Sequence, residues 1–140
     1  MTTRHRIARA TASTGSALPA WRVEIDAGPD HLVADEPSSA GGGGTGPSPF
    51  GLVTSGLAAC TAMTLRMYAE HKGWDLVRID VDVRYEIEDG NAVFERTVTV
   101  PDDLDPERRQ RLADIAERTP VTLALRNGTP ITTQFSADNS

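Results

Sequence analysis

Residues 46–74 read GPSPFGLVTSGLAACTAMTLRMYAEHKGW, with the only cysteine of the chain, Cys60, near the middle of the run. Pro47 and Pro49 turn the chain into an unbroken series of helix formers. The series ends at Lys72 and Gly73, a basic last turn followed by a glycine stop. These signals predict one helix of roughly 20 residues, about 30 Å long, enough to cross a small domain. At the helical period Leu52, Gly56, Cys60, Met63 and Met67 share one face, while Ala58, Ala62, Leu65 and Ala69 line much of the opposite side. A helix apolar nearly all round is normally buried, so this one is expected to be the core helix. Its small residues, Ser55, Gly56, Ala58, Ala59 and Ala62, would let neighbouring backbone approach on more than one side.

Upstream, Arg6 to Ala12 suits a short edge strand, and Trp21 to Asp26 alternates apolar Trp21, Val23 and Ile25 with polar Arg22, Glu24 and Asp26. Gly28-Pro29-Asp30 is turn chemistry, with His31 to Ala34 returning as a hairpin strand. From Asp35 to Pro49 the composition shifts to glycine and proline, including four consecutive glycines at 41–44. A phosphate-cradling loop would need a Gly-Lys-Ser/Thr ending, which is absent, so a mobile connection is expected instead.

Downstream, Val77 to Ile87 alternates Ile79, Val81, Val83, Tyr85 and Ile87 with charged residues, and Asp89-Gly90-Asn91 turns it into a second strand over Ala92 to Val100. Phe94, Val98 and Val100 are assigned to the apolar face of that strand. Asp105-Pro106-Glu107 opens a second helix, with Asp105 as its N-cap, and Thr119-Pro120 closes it. Val121 to Leu125 extends that helix or forms a piece of its own, and Ile131 to Phe135 is assigned to a closing strand. Strands, a long helix, a hairpin, a second helix and a last strand describe an α+β fold.

The 140 residues are near the usual size of one domain, so a single domain over 1–140 is expected, with 39% apolar and 24% charged residues in the range of soluble proteins. A formal charge of −6 argues against a nucleic-acid partner. The longest apolar stretch, Gly51 to Ala62, is too short and interrupted to span a bilayer, and no membrane partner is expected. The N-terminus carries Arg4, Arg6 and Arg9 without an apolar segment, which is no secretory signal; an acid-free, Arg- and Ser/Thr-rich start also has the character of a transit peptide. One cysteine cannot form an internal disulfide, and a reducing cytoplasm is the expected location.

His5, His31 and His71 show no metal-ligand spacing, and no metal or other cofactor is expected. The candidate reactive group is Cys60. Free cysteine is commonly a buried small hydrophobe, and reactivity requires its thiolate. Cys60 lies in the third helical turn, beyond strong reach of the helix dipole, so a cation from elsewhere would be needed. Arg66 projects away from the Cys60 face, leaving an arginine of the strands or of another subunit.

The segment ADEPSSAGGGGTGPSPFGLVTSGLAACTAMTLRMYAEHKGW (34–74), the strand hairpin after it and ERTPV (117–121) at the end of the second helix together resemble the OsmC/Ohr family of hydroperoxide-reducing proteins. The resemblance covers nearly the whole chain. It implies an OsmC-like α+β fold with antiparallel strands around a long central helix, and an intertwined homodimer with the two core helices packed centrally. Cys60 would be the peroxidatic thiol, oxidised to a sulfenic acid by an organic hydroperoxide. The family's second cysteine, which resolves the sulfenate, corresponds to Thr119. The family's glutamate, which orients an arginine of the N-terminal strands toward the thiolate, corresponds to Phe50 or Gly51. Arg22 is the candidate for that arginine by its place on a strand, with Arg9 as the alternative. Phe50, Met63 and Met67 are the candidates for an apolar substrate wall, the methionines serving equally well as core filler. The expected function is a one-cysteine reduction of organic hydroperoxides completed by an external thiol. The alternative is a non-catalytic dimer that binds an apolar small molecule.

Overall fold

A computed structural model describes residues 3–138. The elements run β1 (Ala10–Ser13), β2 (Val23–Ala27), β3 (Asp30–Ala34), a short 3-10 turn (Ser38–Ala40), α1 (Pro49–His71), β4 (Asp80–Glu88), β5 (Asn91–Thr99), α2 (Pro106–Ala116) and α3 (Pro120–Asn127). This is the α+β order that the sequence pattern implies. The chain divides into two compact units, Met1–Ser55 and Gly56–Ser140, and the division falls inside α1.

In the first unit, β1, β2 and β3 form an antiparallel meander, with Ile25 opposite Ala12 on one side and Leu32 on the other. A polar chain runs along β2 and β3. Arg22 Nε donates to Glu24 Oε1 at 3.1 Å, and His31 bridges Glu24 Oε2 at 2.8 Å and Asp26 Oδ1 at 3.0 Å. Asp26, then Glu24, raises the His31 pKa above its ordinary 6.5.

The glycine-rich segment is not the mobile connection the composition suggests, because Asp35 organises it. The Asp35 carboxylate accepts the Thr45 hydroxyl at 2.6 Å and the N–H groups of Glu36, Gly43 and Thr45 at 2.8 to 3.3 Å. Its own N–H donates to the Pro47 carbonyl at 3.0 Å, closing the loop at its base. Two glycines are there for close approach: a Cβ at Gly42 would overlap the Glu36 carbonyl, and one at Gly46 the Val33 carbonyl. The anion that these backbone amides hold is therefore part of the chain. The Thr45 hydroxyl is the main cause that holds the Asp35 carboxyl below its ordinary 3.8, against the opposing effect of its burial.

In the second unit, β4 and β5 pair in register through a two-residue turn at Asp89 and Gly90, both with positive φ. Val81, Val83 and Tyr85 face inward and the intervening charges outward, as alternation predicts. Phe94 pairs with Tyr85 and Val98 with Val81, so Arg96, opposite Val83, lies on the same inward face. Helix α2 starts as expected, with the Asp105 side chain accepting the Arg108 N–H at 2.9 Å and Pro106 at the first position. Its Leu112 and Ala116 meet Leu65 of α1 in the core, with Tyr68, Trp74, Ile79, Val98 and Ile115 around them. The aromatic edge is fastened from α2: the Arg108 guanidinium lies 5.1 Å from the Trp74 ring centre, and Arg111 Nε donates to the Tyr68 hydroxyl at 2.7 Å.

Helix α1 departs from expectation in its surroundings. Its buried stripe is Leu57, Thr61, Leu65 and Ala69, while Met63 and Met67 are 63% and 68% exposed and Val53 is also open. A fully encircled core helix would hide those side chains, and within one chain this one packs along a single stripe. By length and composition alone it is long and apolar enough to cross a membrane, which the count over Gly51 to Ala62 missed by stopping short. The packing of its stripe on α2, and an exposed Arg66–Glu70 ion pair at 2.9 Å, are features of a protein-core helix.

The closing strand does not form. Residues 128–138 have no regular structure, and Ile131 and Phe135 are 88% and 99% exposed. Their alternation has no partner strand, and alternation alone does not hold a strand without one. Residues 120–127 resolve as a separate helix, α3, with Thr119 as N-cap and Pro120 at its first position.

Replacing Asp35 by Asn is expected to lower the melting temperature at neutral pH and to raise the rate of proteolytic cleavage within residues 36–46. Because the folded-state pKa of Asp35 is depressed, its contribution is present above about 3.8 and is lost as pH falls through the lower folded value. Acid unfolding curves of Asp35→Asn should lack that component of the wild-type pH dependence.

Candidate functional site

Helix α1 begins through Ser48, whose hydroxyl accepts the Gly51 N–H at 3.0 Å while its carbonyl accepts the Leu52 N–H at 2.9 Å. This N-cap, with Pro49 at the first helical position, fixes where the helix starts and so which residues share the face of Cys60. Three turns on, Cys60 is half-buried as a free thiol. Its sulfur lies 4.0 Å from the hydroxyl oxygen of Thr64, one turn along the same helix.

The neighbouring residue, Thr61, begins a polar cluster in the second unit. Its hydroxyl donates to the Leu57 carbonyl at 2.7 Å and accepts from Arg96 Nη1 at 3.0 Å. The same Nη1 donates to the Thr122 hydroxyl at 2.7 Å, and Arg96 Nη2 donates to the Ala116 carbonyl at 3.0 Å. One guanidinium from β5 thus ties α1, the end of α2 and the start of α3. The Arg96 side chain is only 12% exposed, and its nearest carboxylate, Glu117 Oε1, stands at 3.9 Å. Thr119, fully buried, completes the cluster: its hydroxyl oxygen lies 2.6 Å from that of Thr122 and accepts the Thr122 N–H at 3.4 Å.

Among the described residues of the second unit no guanidinium hydrogen-bonds the Cys60 sulfur. Arg96 is directed at the two threonines and the Ala116 carbonyl, and Arg66 at Glu70, away from the thiol as the helical projection implies. Arg96 is the residue that sequence reading passed over. Its signal was a charged residue at an inward position of Phe94-Glu95-Arg96-Thr97-Val98, which marks a cation that needs buried partners.

The family model described as OsmC-like protein matches residues 41–134. This chain belongs to the OsmC-like family. Among solved structures, the organic hydroperoxide resistance protein OhrB of Bacillus subtilis is 28% identical, with a TM-score of 0.58 over 86% of this chain and 91% of its own. An organic hydroperoxide resistance protein from Elizabethkingia anophelis, with crystallant-derived thiocyanate bound, is 21% identical, with a TM-score of 0.66 over 90% and 91% of the two chains. An OsmC-like protein from Mycoplasma pneumoniae, at 16% identity, reaches 0.67 over 88% and 89%. The last two likenesses establish the shared fold. A search of curated protein sequences returns no match.

The OsmC-like resemblance assigns roles to particular positions, and the structure places each of them. Phe50, exposed, and Gly51 occupy the first turn of α1. Arg22 lies immediately before β2 in the first unit, with both Nε and Nη2 at 3.1 Å from Glu24 Oε1. That carboxylate comes from the strand itself, two residues along. Met63 and Met67 are exposed on α1, and Thr119 is the buried N-cap of α3.

Replacing Arg96 by Met should destabilise the fold by about 2–4 kcal/mol, since three acceptors lose a charged donor in a nearly dry setting. Thr61→Val should cost about 1–2 kcal/mol. Because Arg96 and Thr61 share a bond, the double variant should lose less than the sum, a coupling measurable by urea unfolding of the four proteins.

Proposed function

We propose that this OsmC-like protein acts in defence against peroxides and that Cys60 reduces organic hydroperoxides in a one-cysteine cycle. The observation that carries the reading is a half-buried, unpaired thiol on the family-matched helix, at the position where the family resemblance sets its peroxidatic cysteine. The hydroperoxide-resistance neighbours, with OhrB of Bacillus subtilis at 28% identity, support it. In the first step the Cys60 thiolate attacks the distal peroxide oxygen. The O–O bond breaks, an S–O bond forms, and the alkoxide leaves as alcohol after taking a proton. Cysteine is oxidised to sulfenic acid and the hydroperoxide is reduced. An external thiol then attacks the sulfenate sulfur and releases water. A second thiol molecule reduces the mixed disulfide and regenerates Cys60.

Two adaptations belong to this reading. Thr119 caps α3 where the family resemblance places a resolving thiol, so resolution passes to the external reductant. Arg22, held by Glu24, is the arginine that the family resemblance assigns to the thiolate, and Phe50, Met63 and Met67, each exposed, are the residues assigned to the organic part of the substrate. The exposed methionines on an otherwise apolar helix support a homodimer in which a second copy covers that face. A cytoplasmic location fits a cycle that needs a free thiol and a thiol reductant.

A second reading is favoured by the Arg96 geometry: that guanidinium donates to two threonines and a carbonyl rather than to Cys60, as suits a dimer that binds an apolar small molecule without turnover. Cumene hydroperoxide followed by dimedone trapping and mass spectrometry separates the two readings. The catalytic reading expects a dimedone adduct on Cys60, absent from Cys60→Ala and slower to form in Arg22→Gln. No adduct at stoichiometric peroxide would overturn it. Light scattering should give the mass of a dimer, and Met63→Asp with Met67→Asp should shift it toward monomer.

A further inference from the structure

Between β5 and α3 lies a cavity of about 330 Å³ that Cys60 does not line. This volume is in the range of small-molecule sites. Leu57 of α1, Phe94 of β5 and Leu125 of α3 supply apolar walls, and Arg96 and Thr122 a polar floor. Arg126 and Glu117 stand at the rim, both well exposed.

The charges around this cavity do not balance. Three of the five N–H groups of Arg96 are engaged by Thr61, Thr122 and the Ala116 carbonyl, all neutral acceptors. Among the described residues the carboxylate paired with Arg96 is that of Glu117, 3.9 Å away and beyond hydrogen-bonding distance. Glu117 is drawn instead to Arg126, whose Nη2 lies 2.5 Å from Glu117 Oε2 and whose Nη1 donates to the Glu117 carbonyl at 3.1 Å. One carboxylate thus serves two guanidiniums, one of them nearly buried. A guanidinium in such a setting gains more from a close anion than from neutral partners.

We propose that this cavity is a binding site for an amphiphilic aliphatic monocarboxylate. Its chain lies against Leu57, Phe94 and Leu125, and its carboxylate takes up the unspent donors of Arg96 together with Arg126. Glu117 competes for the same guanidiniums from the rim and keeps the unliganded site from carrying two uncompensated charges. The site does not depend on the chemistry of Cys60, so a redox-inactive Cys60 leaves it standing.

The test is titration of the full chain at neutral pH with octanoate, followed by calorimetry and by amide chemical shifts. 1-Octanol serves as the neutral chain control and acetate as the headgroup control. Octanoate should bind saturably at one site with shifts concentrated in β5 and α3, at least about tenfold more tightly than either control. Arg126→Gln, a rim substitution that leaves the buried cluster intact, should weaken octanoate about tenfold, and Glu117→Gln should tighten it by removing the internal competitor. Absence of saturable binding, octanol binding as tightly as octanoate, or an unchanged affinity in both variants would overturn the proposal. Cys60→Ala should bind octanoate as the wild type does, which keeps this outcome separate from that of the peroxide experiment.

Discussion

The second unit depends on one buried cation. Arg96 reaches from the inward face of β5 to a threonine in the middle of α1, to the last carbonyl of α2 and to a threonine in the first turn of α3. Hydrophobic packing at Leu65, Leu112 and Ala116 is non-directional and would tolerate rotation of the helices about their axes. A planar guanidinium with acceptors on three elements does not tolerate it. The apolar cluster therefore supplies most of the burial, and Arg96 supplies the angular register in which α1 presents its remaining faces.

That register decides what happens to Cys60. With Thr61 turned inward to Arg96, its neighbour Cys60 is placed at the border of the buried stripe, half-covered, with Met63 and Met67 further around on the open side. A helix whose apolar surface exceeds what its own chain covers leaves an apolar face for something else, and its small residues make close approach cheap. The sequence signal of an all-round apolar helix was correct about the surface and incomplete about the cover. Periodicity reports how much of a helix avoids water, not whether the avoidance is achieved within one chain.

Most elements were legible because their signals are local. The hairpins at Gly28 and at Asp89-Gly90, the Asp105-Pro106 helix start and the stop at Gly73 are each decided within a few residues by backbone stereochemistry and unpaired amides. The failures share the opposite character. Ile131 to Phe135 alternates like a strand, yet a strand also needs a neighbour, and the neighbour is not encoded in the segment. The four glycines looked unstructured because their organiser, Asp35, lies eight residues before Gly43 and carries no motif. Arg96 hid in an alternation in which phase, not residue type, revealed it.

Asp35 and Arg96 show the two ways a buried charge is accommodated in this chain. Asp35 gathers four donors, the Gly43 N–H shared between its two oxygens, from a loop whose glycines bring backbone amides close, so both oxygens of the anion are engaged from within the loop. Arg96 gathers three neutral acceptors and one distant carboxylate, and a saturated cluster would have closed that distance. Thr119 sharpens the contrast. Where the family resemblance sets a second thiol, a weak hydrogen-bonding group, a threonine hydroxyl caps α3 and joins the Thr122 hydroxyl that receives Arg96. The hydroxyl carries the polar network from the α3 cap to the guanidinium. The Thr119 hydroxyl thus joins the cap of α3 to the guanidinium that ties α1, α2 and α3 together.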